Sequence, residues 1–350
     1  MISLHLLLVT GFLGAGKTTL VNYILTEQHD WKICVVENEF GEVSIDDSLV
    51  GENMKAKEDI IMMDNGCVCC SVRGDLVRTF GMLCSKRKSF DAIIIETTGL
   101  ADPAPILFTF SSNALLQDNY RIDSIVCLVD SKHIAQHLDE VKPDGDINEA
   151  ENQIAFSDRI ILNKLDLVSK VELDDLTDRI RSMNSFASLI YTERSRAPLD
   201  QVLGLNSFSL ERVVEVDPTI MEDDEPEVKR KKKRHNLSLV SSVGYTVTGL
   251  LDVGKFNQFM STLLQTNAAN LYRTKGVLAF DGQGDTKFVF QGVHEQINFG
   301  PTEHPWRPEE ARVSKLVFIG KNLDPESLKE SIQSCTSDPA TAIVTMHKRA

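Results

Sequence analysis

Long apolar runs, positive charge and a disulfide pattern are all scarce in this sequence of 350 residues. The first apolar stretch, Leu4 to Val9, is too short to span a membrane, and no basic segment precedes it. It therefore predicts a core strand rather than a signal peptide. The formal net charge of −14 argues against general nucleic-acid binding. We expect a protein that has neither a nucleic acid nor a membrane as its partner.

The seven cysteines are an odd number, and three of them, Cys67, Cys69 and Cys70, stand within four residues. This arrangement is a poor disulfide framework and favours a thiolate metal site. It also predicts a reducing compartment, the cytoplasm or the nucleus. The remaining cysteines lie scattered in apolar contexts, and we expect them to be inert core residues: Cys34, Cys84, Cys127 and Cys335.

A phosphate-binding pattern follows the first apolar stretch. Residues 11–19 read GFLGAGKTT and fit G-x-x-x-x-G-K-[ST]. A run with helical periodicity, Thr19 to Leu25, comes next, so the order is strand, loop, helix. In such a loop the backbone N–H groups and the helix N-terminus bind phosphate, the lysine neutralises β- and γ-phosphates, and the hydroxyl binds Mg²⁺. The predicted nucleotide contacts here are Gly11, Gly14, Ala15, Gly16, Lys17, Thr18 and Thr19.

Strand and helix signals alternate from residue 1 to about 210. This alternation predicts an α/β fold, a mostly parallel sheet with helices on both faces, and ligands beyond the carboxyl ends of the strands. We assign a nucleotide-binding domain to 1–212, a charged linker to 213–237 and a smaller α+β domain to 238–350. The linker holds an acidic block and a basic block, 229–235. The basic block also fits a nuclear-import signal or an anionic docking patch.

Two strands of the first domain end in acidic residues. Residues 37–42, ENEFGE, follow the second strand, and Asp46 and Asp47 come soon after. Glu96-Thr97-Thr98-Gly99 ends the third long apolar run. A carboxylate there can organise Mg²⁺ through water, and the glycine N–H can sense the γ-phosphate. We predict Thr18 and Glu96 as the magnesium site, and Lys17, Glu96 and Gly99 as catalytic.

A later strand ends in Asn163-Lys164-Leu165-Asp166, an N-K-x-D pattern. A carboxylate at Asp166 can accept hydrogen bonds from both N1–H and the 2-amino group of guanine, a donor pair that adenine lacks. The sequence therefore predicts GTP rather than ATP. We expect Asn163 to brace the loop and the stem of Lys164 to lie along the base. Beyond the last strand of this domain, Ser195 and Arg196 stand where a backbone N–H could meet guanine O6.

The cysteine loop reads C-x-C-C between the two acidic segments. Three thiolates in so short a loop can converge on one soft or borderline cation, and Zn²⁺ is the default metal. A structural zinc site and a redox thiol cluster are the competing interpretations. The three cysteines leave the identity of a fourth metal ligand unassigned. In the C-terminal domain, His294 is a further metal candidate, although a structural or surface role fits its context better.

Taken in order, five segments resemble the CobW-like metal-binding GTPases: GFLGAGKTT, ENEFGEV, NGCVCC, ETTGLADP and NKLD. The sequences RTKG and GVH in the C-terminal domain extend the resemblance over nearly the whole chain. The similarity is strongest to the eukaryotic branch, the zinc-regulated GTPase metalloprotein activators. It implies a P-loop GTPase domain with a CobW-type C-terminal domain. It also implies a metallochaperone that loads zinc into a client metalloprotein, using GTP binding and hydrolysis.

On this hypothesis GTP and Mg²⁺ order the loops at 37–42 and 96–99 and thereby shape a Zn²⁺ site. Its ligands would be Cys67, Cys69 and Cys70, supplemented by Glu42. Three rivals stay open: a regulatory GTPase with a structural zinc, a cobalt or nickel insertase of a cobalamin-type pathway, and an ATPase of related fold. A homodimer is compatible with these residues. We expect slow intrinsic turnover that a partner raises, because no residue stands out as a general base.

Overall fold

The computed structural model describes residues 4–27, 31–37, 60–62, 72–86, 89–140, 142, 147–205, 207, 239–302 and 304–347. The chain divides into two compact units, residues 1–177 with 187–208, and residues 178–186 with 209–350. The predicted linker lies outside the described residues, so the exact domain boundaries stay a prediction. No helix in the described part of the chain is long and apolar enough to cross a membrane.

Seven strands of the first unit form one sheet. They are β1 (Leu4–Gly11), β2 (Ile33–Glu37), β3 (Ile60–Met62), β4 (Ala92–Glu96), β5 (Tyr120–Asp130), β6 (Arg159–Asn163) and β7 (Ser188–Tyr191). The strand order is β3-β2-β4-β1-β5-β6-β7, and every pairing is parallel. The predicted α/β class is confirmed.

Helices alternate with these strands. They are α1 (Lys17–Thr26), α2 (Val72–Lys86), α3 (Ala104–Ser112), α4 (Ala114–Asn119), α5 (Ile134–Leu138), α6 (Glu149–Phe156) and α7 (Lys170–Met183). Strand β4 is buried at every position and β1 at all but one. Strands buried on both sides need cover on both faces, which explains why they read as continuous apolar runs rather than as alternating patterns.

The pairing register brings the ends of the central strands together. Val9 of β1 pairs with Glu96 of β4, and Asp130 of β5 pairs with Asn163 of β6. Because all strands are parallel, the residues that follow them emerge at one edge of the sheet. The phosphate loop, the segment after Glu96 and the N-K-x-D loop therefore share this edge.

The second unit contains an antiparallel sheet of six strands. They are β8 (Val240–Thr248), β9 (Leu271–Leu278), β10 (Phe288–Val293), β11 (Gln296–Pro301), β12 (Val313–Lys321) and β13 (Ile343–His347), in the order β11-β10-β9-β12-β8-β13. Two helices accompany it, α8 (Val253–Asn267) and α9 (Pro325–Ser334). Phe256 of α8 and Ile332 of α9 join Tyr245 and Phe318 of the sheet in one buried cluster.

Both helices of this unit begin at an aspartate cap. Asp252 accepts a hydrogen bond from the Lys255 N–H at 2.8 Å, and Asp324 accepts from the N–H groups of Glu326 and Ser327. The predicted cap at Asp324 is confirmed. The sequence did not reveal β11 and β13. No residue of β11 and only one of β13 is buried, so neither strand has a clear apolar alternation.

Candidate nucleotide-binding site

The phosphate loop joins β1 to α1, as the glycine pattern predicts. Gly11, Gly14 and Gly16 all have positive φ angles, of 139°, 72° and 108°. A side chain at Gly11 would also collide with the backbone of β5, since a Cβ there would lie 2.3 Å from the Leu128 oxygen. Only glycine adopts these conformations without strain. The loop therefore leads directly into the N-terminus of α1, where backbone N–H groups suit phosphate.

Lys17 is buried within this loop. Its Nζ donates to the carbonyl oxygens of Gly11 and Phe12, at 2.9 and 3.2 Å. These bonds fix the ammonium group over the loop rather than leaving it in solvent. Ala15 is fully buried and donates from its N–H to the Phe12 oxygen, which tightens the same turn. A preorganised cation at this point is what phosphate binding needs.

Thr18 and Glu96 meet at the centre of the site. The Thr18 hydroxyl donates to Glu96 Oε1 at 2.7 Å, which joins the first turn of α1 to the end of β4. Glu96 is buried. A hydroxyl and a carboxylate side by side, next to a phosphate loop, are the oxygen ligands that Mg²⁺ prefers. The donor set therefore fits the predicted magnesium site.

The segment after Glu96 lies against the phosphate loop. Thr97 donates from its N–H to the Val9 oxygen, and its buried hydroxyl meets that of Thr10. A Cβ on Gly99 would lie 2.6 Å from the Leu13 nitrogen. Any side chain at position 99 would thus press on the backbone of the phosphate loop. This proximity is what a γ-phosphate sensor at Gly99 requires.

Asn163 connects the phosphate loop to the segment that follows β7. Its Nδ2 donates to the Ala15 oxygen at 3.0 Å and to Ser195 Oγ at 2.9 Å. Its Oδ1 accepts from the Ser195 N–H at 2.8 Å and from the Thr192 hydroxyl. The Ser195 hydroxyl in turn donates to the Gly16 oxygen. Asn163 thus occupies the bracing position that we expected of it.

Ser195 has a different position from the one that its place in the sequence suggested. Its backbone N–H donates to Asn163 Oδ1. The Ser195 N–H therefore stabilises the segment after β7 and is not free to contact a base. The next two N–H groups are also used, by the oxygens of Glu193 and Ser195. The side chain of Arg196 is exposed. A backbone contact to guanine O6 from this segment would require one of these bonds to open.

Lys164 is held beside the site by a residue that sequence reasoning missed. Its Nζ lies 2.7 Å from Asp130 Oδ2, and Lys164 itself has a left-handed φ of 63°. Burial alone would raise the pKa of Asp130, but hydrogen bonds from Lys164, His133 and the Lys132 N–H hold that pKa below its ordinary value. Asp130 ends β5 and pairs with Asn163 of β6, a proximity that only the sheet reveals.

Asp166 is exposed at the same edge of the sheet, in the 3₁₀ turn Leu165–Leu167. Among the described residues it has no hydrogen-bond partner, so its carboxylate is available to a ligand. Lys164, Arg194 and Ser195 are three of the five non-glycine residues with positive φ in the described chain. Strained backbone of this kind concentrates at binding sites. Of the predicted phosphate-loop contacts, Thr19 and Gly14 are exposed as well.

The predicted metal ligands Cys67, Cys69, Cys70 and Glu42 lie outside the described residues. Within the described part, no three His, Cys, Asp or Glu side chains are grouped so that they could hold a metal ion.

Of the other four cysteines, three lie in the core, as predicted, and one is partly buried. Burial raises the pKa of the Cys127 thiol to about 12 and that of the Cys335 thiol to about 11, although hydrogen bonds and nearby lysines oppose the shift. Cys34 is also buried and Cys84 is half-buried. The His294 ring lies 3.1 Å from the Ala268 oxygen and against Tyr272, a structural role.

Comparison with known families agrees with this arrangement. Residues 5–191 match the family model "CobW/HypB/UreG, nucleotide-binding domain", and residues 240–336 match "Cobalamin synthesis protein cobW C-terminal domain". The chain belongs to the CobW/HypB/UreG family. The first match spans more than half of the chain and contains the phosphate loop, Glu96, Gly99, Asp130 and the N-K-x-D loop, whereas the segment after β7, with Thr192, Arg194, Ser195 and Arg196, lies beyond it.

Individual relatives cover nearly the whole of this CobW-type chain. The zinc chaperone YjiA of Escherichia coli (strain K12) is 35% identical over 327 residues, which are 92% of this chain and 95% of the relative. Zinc-regulated GTPase metalloprotein activator 1 of Saccharomyces cerevisiae is 28% identical, over 93% of this chain and 82% of its own length. The crystal structure of Zn(II)-bound YjiA GTPase from E. coli aligns with a TM-score of 0.73 at 30% identity. That alignment covers 96% of this chain and all of the solved one.

Proposed function

We propose that this protein is a GTP-dependent zinc metallochaperone, which binds Zn²⁺ in its cysteine loop and delivers it to a client metalloprotein. The observation that carries the GTP-dependent part is the side chain of Asn163. It hydrogen-bonds both the phosphate loop and the segment after β7, while Asp166, three residues later, stays exposed. Phosphate and base recognition would thereby belong to one connected site.

GTP selectivity is assigned to Asp166. Its carboxylate would accept from N1–H and the 2-amino group of guanine, and both of these are donors. The Asp130–Lys164 ion pair would hold the Lys164 stem in place beside the base. Adenine offers an acceptor at N1 and no 2-amino group, so an exposed carboxylate would repel rather than bind it.

Hydrolysis would convert GTP and water to GDP and inorganic phosphate. Lys17 would bind the β- and γ-phosphates, and the Gly99 N–H would contact the γ-phosphate. Thr18 and Glu96 would hold Mg²⁺, which neutralises charge that develops on the phosphate oxygens when it is bound. The phosphate loop is shaped before ligand binding, because its three glycines and the bonds of Lys17 already fix its conformation.

Zinc is the cargo in this proposal. Cys67, Cys69 and Cys70, with Glu42, would bind it, and these residues lie in sequence between the phosphate loop and Glu96. The names of two relatives, a zinc chaperone and a zinc-regulated metalloprotein activator, support zinc rather than cobalt or nickel. A thiolate zinc site of this kind suits a reducing cytoplasm or nucleus.

Zinc release during a single turnover tests the proposal. The protein is loaded with one equivalent of Zn²⁺ and with GTP, Mg²⁺ is added, and free zinc is followed with a fluorescent indicator. We expect zinc to appear at the rate of GTP hydrolysis, and not with a non-hydrolysable analogue. The Cys69→Ala variant should fail to retain zinc at the start. The matched control is Cys84→Ala, which removes a thiol from α2 and should behave as wild type.

Two alternative functions give different results in the same experiment. A regulatory GTPase with a structural zinc would hydrolyse GTP and keep its zinc throughout. A cobalt or nickel insertase would release Co²⁺ or Ni²⁺ with hydrolysis and would bind these ions in preference to Zn²⁺ when they compete in the GTP state. Either result would replace the zinc-chaperone proposal.

A further inference from the structure

Gln153 is a buried polar side chain that the site described above does not use. It lies on α6 and is only 1% exposed. Its Nε2 donates to the Gly99 oxygen at 3.1 Å and to the Ala101 oxygen at 3.0 Å. Since both partners are carbonyl oxygens, only the NH₂ end of the amide can face them. The side chain thus binds two carbonyls of the turn that contains the predicted γ-phosphate sensor.

The turn itself has a particular pattern of used and unused groups. The Ala101 N–H donates to the Thr98 oxygen at 3.1 Å, which closes residues 98–101 into a turn. With Gln153 bound to the carbonyls of Gly99 and Ala101, three carbonyl oxygens of the turn, those of Thr98, Gly99 and Ala101, accept hydrogen bonds. The Gly99 N–H, by contrast, makes no hydrogen bond within the described residues, although Gly99 is buried. A buried N–H of this kind is poised for a ligand acceptor.

Helix α6 is a rigid support for the Gln153 side chain. All its residues from Ala150 to Phe156 are buried. Its first turn is capped by Asn148, whose Oδ1 accepts from the Glu151 N–H at 3.1 Å. The neighbouring Asn152 donates to Asp102 at 3.2 Å, just beyond the same turn. The turn and Asp102, which follows it, are therefore attached to α6 by three hydrogen bonds.

The cap of the same helix is connected to the phosphate loop through α5. The Asn148 Nδ2 donates to the His137 oxygen at 2.9 Å. The His137 ring stacks on Phe12 of the phosphate loop, with 3.8 Å between ring centroids. Gly99 in turn packs against Leu13. Helix α6 is thus linked to the 98–101 turn directly and to the phosphate loop through His137.

We propose that Gln153 is a positioning residue that fixes the 98–101 turn so that the Gly99 N–H can bind the γ-phosphate. It thereby lets the protein distinguish GTP from GDP. This inference rests on the proposed GTPase function. Without the two bonds from Gln153, the peptide groups of the turn can rotate and the Gly99 N–H loses its fixed direction. GDP has no γ-phosphate, so its binding does not depend on this N–H.

The test replaces Gln153 with methionine, which has a similar length and carries no N–H donor. The full-length protein is titrated with GDP and with a non-hydrolysable GTP analogue, both with Mg²⁺, and GTP turnover is measured. The matched control is Gln136→Met on α5, where the same substitution falls on an exposed side chain. Gln153→Met should bind the analogue roughly 10-fold more weakly and lower kcat roughly 10- to 100-fold, while its GDP affinity is retained.

Each other outcome decides against the inference. If Gln153→Met loses affinity for GDP and for the analogue equally, Gln153 stabilises the fold as a whole and does not specifically position the Gly99 N–H for the γ-phosphate. If it matches the Gln136→Met control in both affinities and in kcat, it has no positioning role. Wild-type protein that binds neither GDP nor the analogue would instead contradict the proposed function itself, which separates the two failures.

Discussion

The Asn163 side chain donates from Nδ2 to the main-chain oxygen of Ala15 at 3.0 Å, across 148 residues of sequence. Asn163 ends β6, and Ala15 lies in the phosphate loop. The same amide holds Ser195 through both its oxygen and its nitrogen. One buried side chain therefore sets the distance between the phosphate loop and the segment after β7.

Replacing Asn163 with alanine should weaken the binding of GTP and of GDP by similar factors. The substitution removes four hydrogen bonds from a site that is 2% exposed and leaves the Ser195 N–H without its acceptor. We expect the free energy of unfolding to fall by about 3 kcal/mol. GTP and GDP affinities should fall by similar factors, as measured by calorimetric titration. The control Asn257→Ala, on an exposed position of α8, should change neither quantity.

Asp166 should determine which base the protein accepts. Replacing it with asparagine puts an N–H₂ donor opposite the 2-amino group of guanine, while xanthine has an oxygen at that position. Asp166→Asn should therefore bind GTP at least roughly 10-fold more weakly and bind XTP better than wild type does. Competition binding measures both. Asp174→Asn, an exposed change on α7, serves as the control, and an unchanged GTP preference in Asp166→Asn would contradict the assignment.

Gly99 should tolerate no side chain. A Cβ there lies 2.6 Å from the Leu13 nitrogen, so Gly99→Ala must move the turn or the phosphate loop. If the turn moves, we expect kcat for GTP to fall roughly 100-fold with GDP binding retained, because the contact proposed for the Gly99 N–H is to the γ-phosphate, which GDP lacks. The control is Gly74→Ala on α2, where an added Cβ meets nothing within 4 Å. Equal turnover in the two variants would count against Gly99 as the sensor.

The Asp130–Lys164 pair predicts a pH dependence of stability. The folded protein holds the pKa of Asp130 below its ordinary value of 3.8, so the ionised form is stabilised by folding. That stability is fully present above the ordinary pKa and is lost as the pH falls through the lowered one. Asp130→Asn should therefore lose free energy of unfolding less steeply than wild type below about pH 4. Denaturant titrations across this range measure the slope, and Asp118→Asn, at an exposed position, should retain the wild-type slope.

Much of the nucleotide site could be predicted because its chemistry depends on short, contiguous segments. Three glycines and a lysine specify the phosphate loop locally, and strand ends specify Glu96 and Asn163. Two contributors were not predictable in this way. Asp130 looked like an ordinary strand end, and Gln153 looked like one polar residue of a helix. Their roles depend on partners 34 and 54 residues away, respectively, which no local pattern encodes.

The fold shows the same division. The buried parallel strands of the first unit are continuous apolar runs, and their positions were predicted closely. The exposed edge strand β11 and the short strand β13 lack that signal, because strand pairing rather than side-chain burial defines them. The prediction that a backbone N–H at Ser195 contacts the base rested on order in the sequence alone. The structure shows its N–H bonded to Asn163 instead.

The central claim is that GTP binding tightens zinc binding, and zinc affinity in two nucleotide states tests it most directly. Zn²⁺ is titrated into the protein with Mg²⁺ and either a non-hydrolysable GTP analogue or GDP, with Lys17→Ala as the variant that cannot bind nucleotide. We predict about 5- to 150-fold tighter zinc binding with the analogue, the same factor for zinc's effect on analogue affinity, and no such difference in Lys17→Ala. Equal zinc affinity in the two nucleotide states of the wild-type protein would contradict the account.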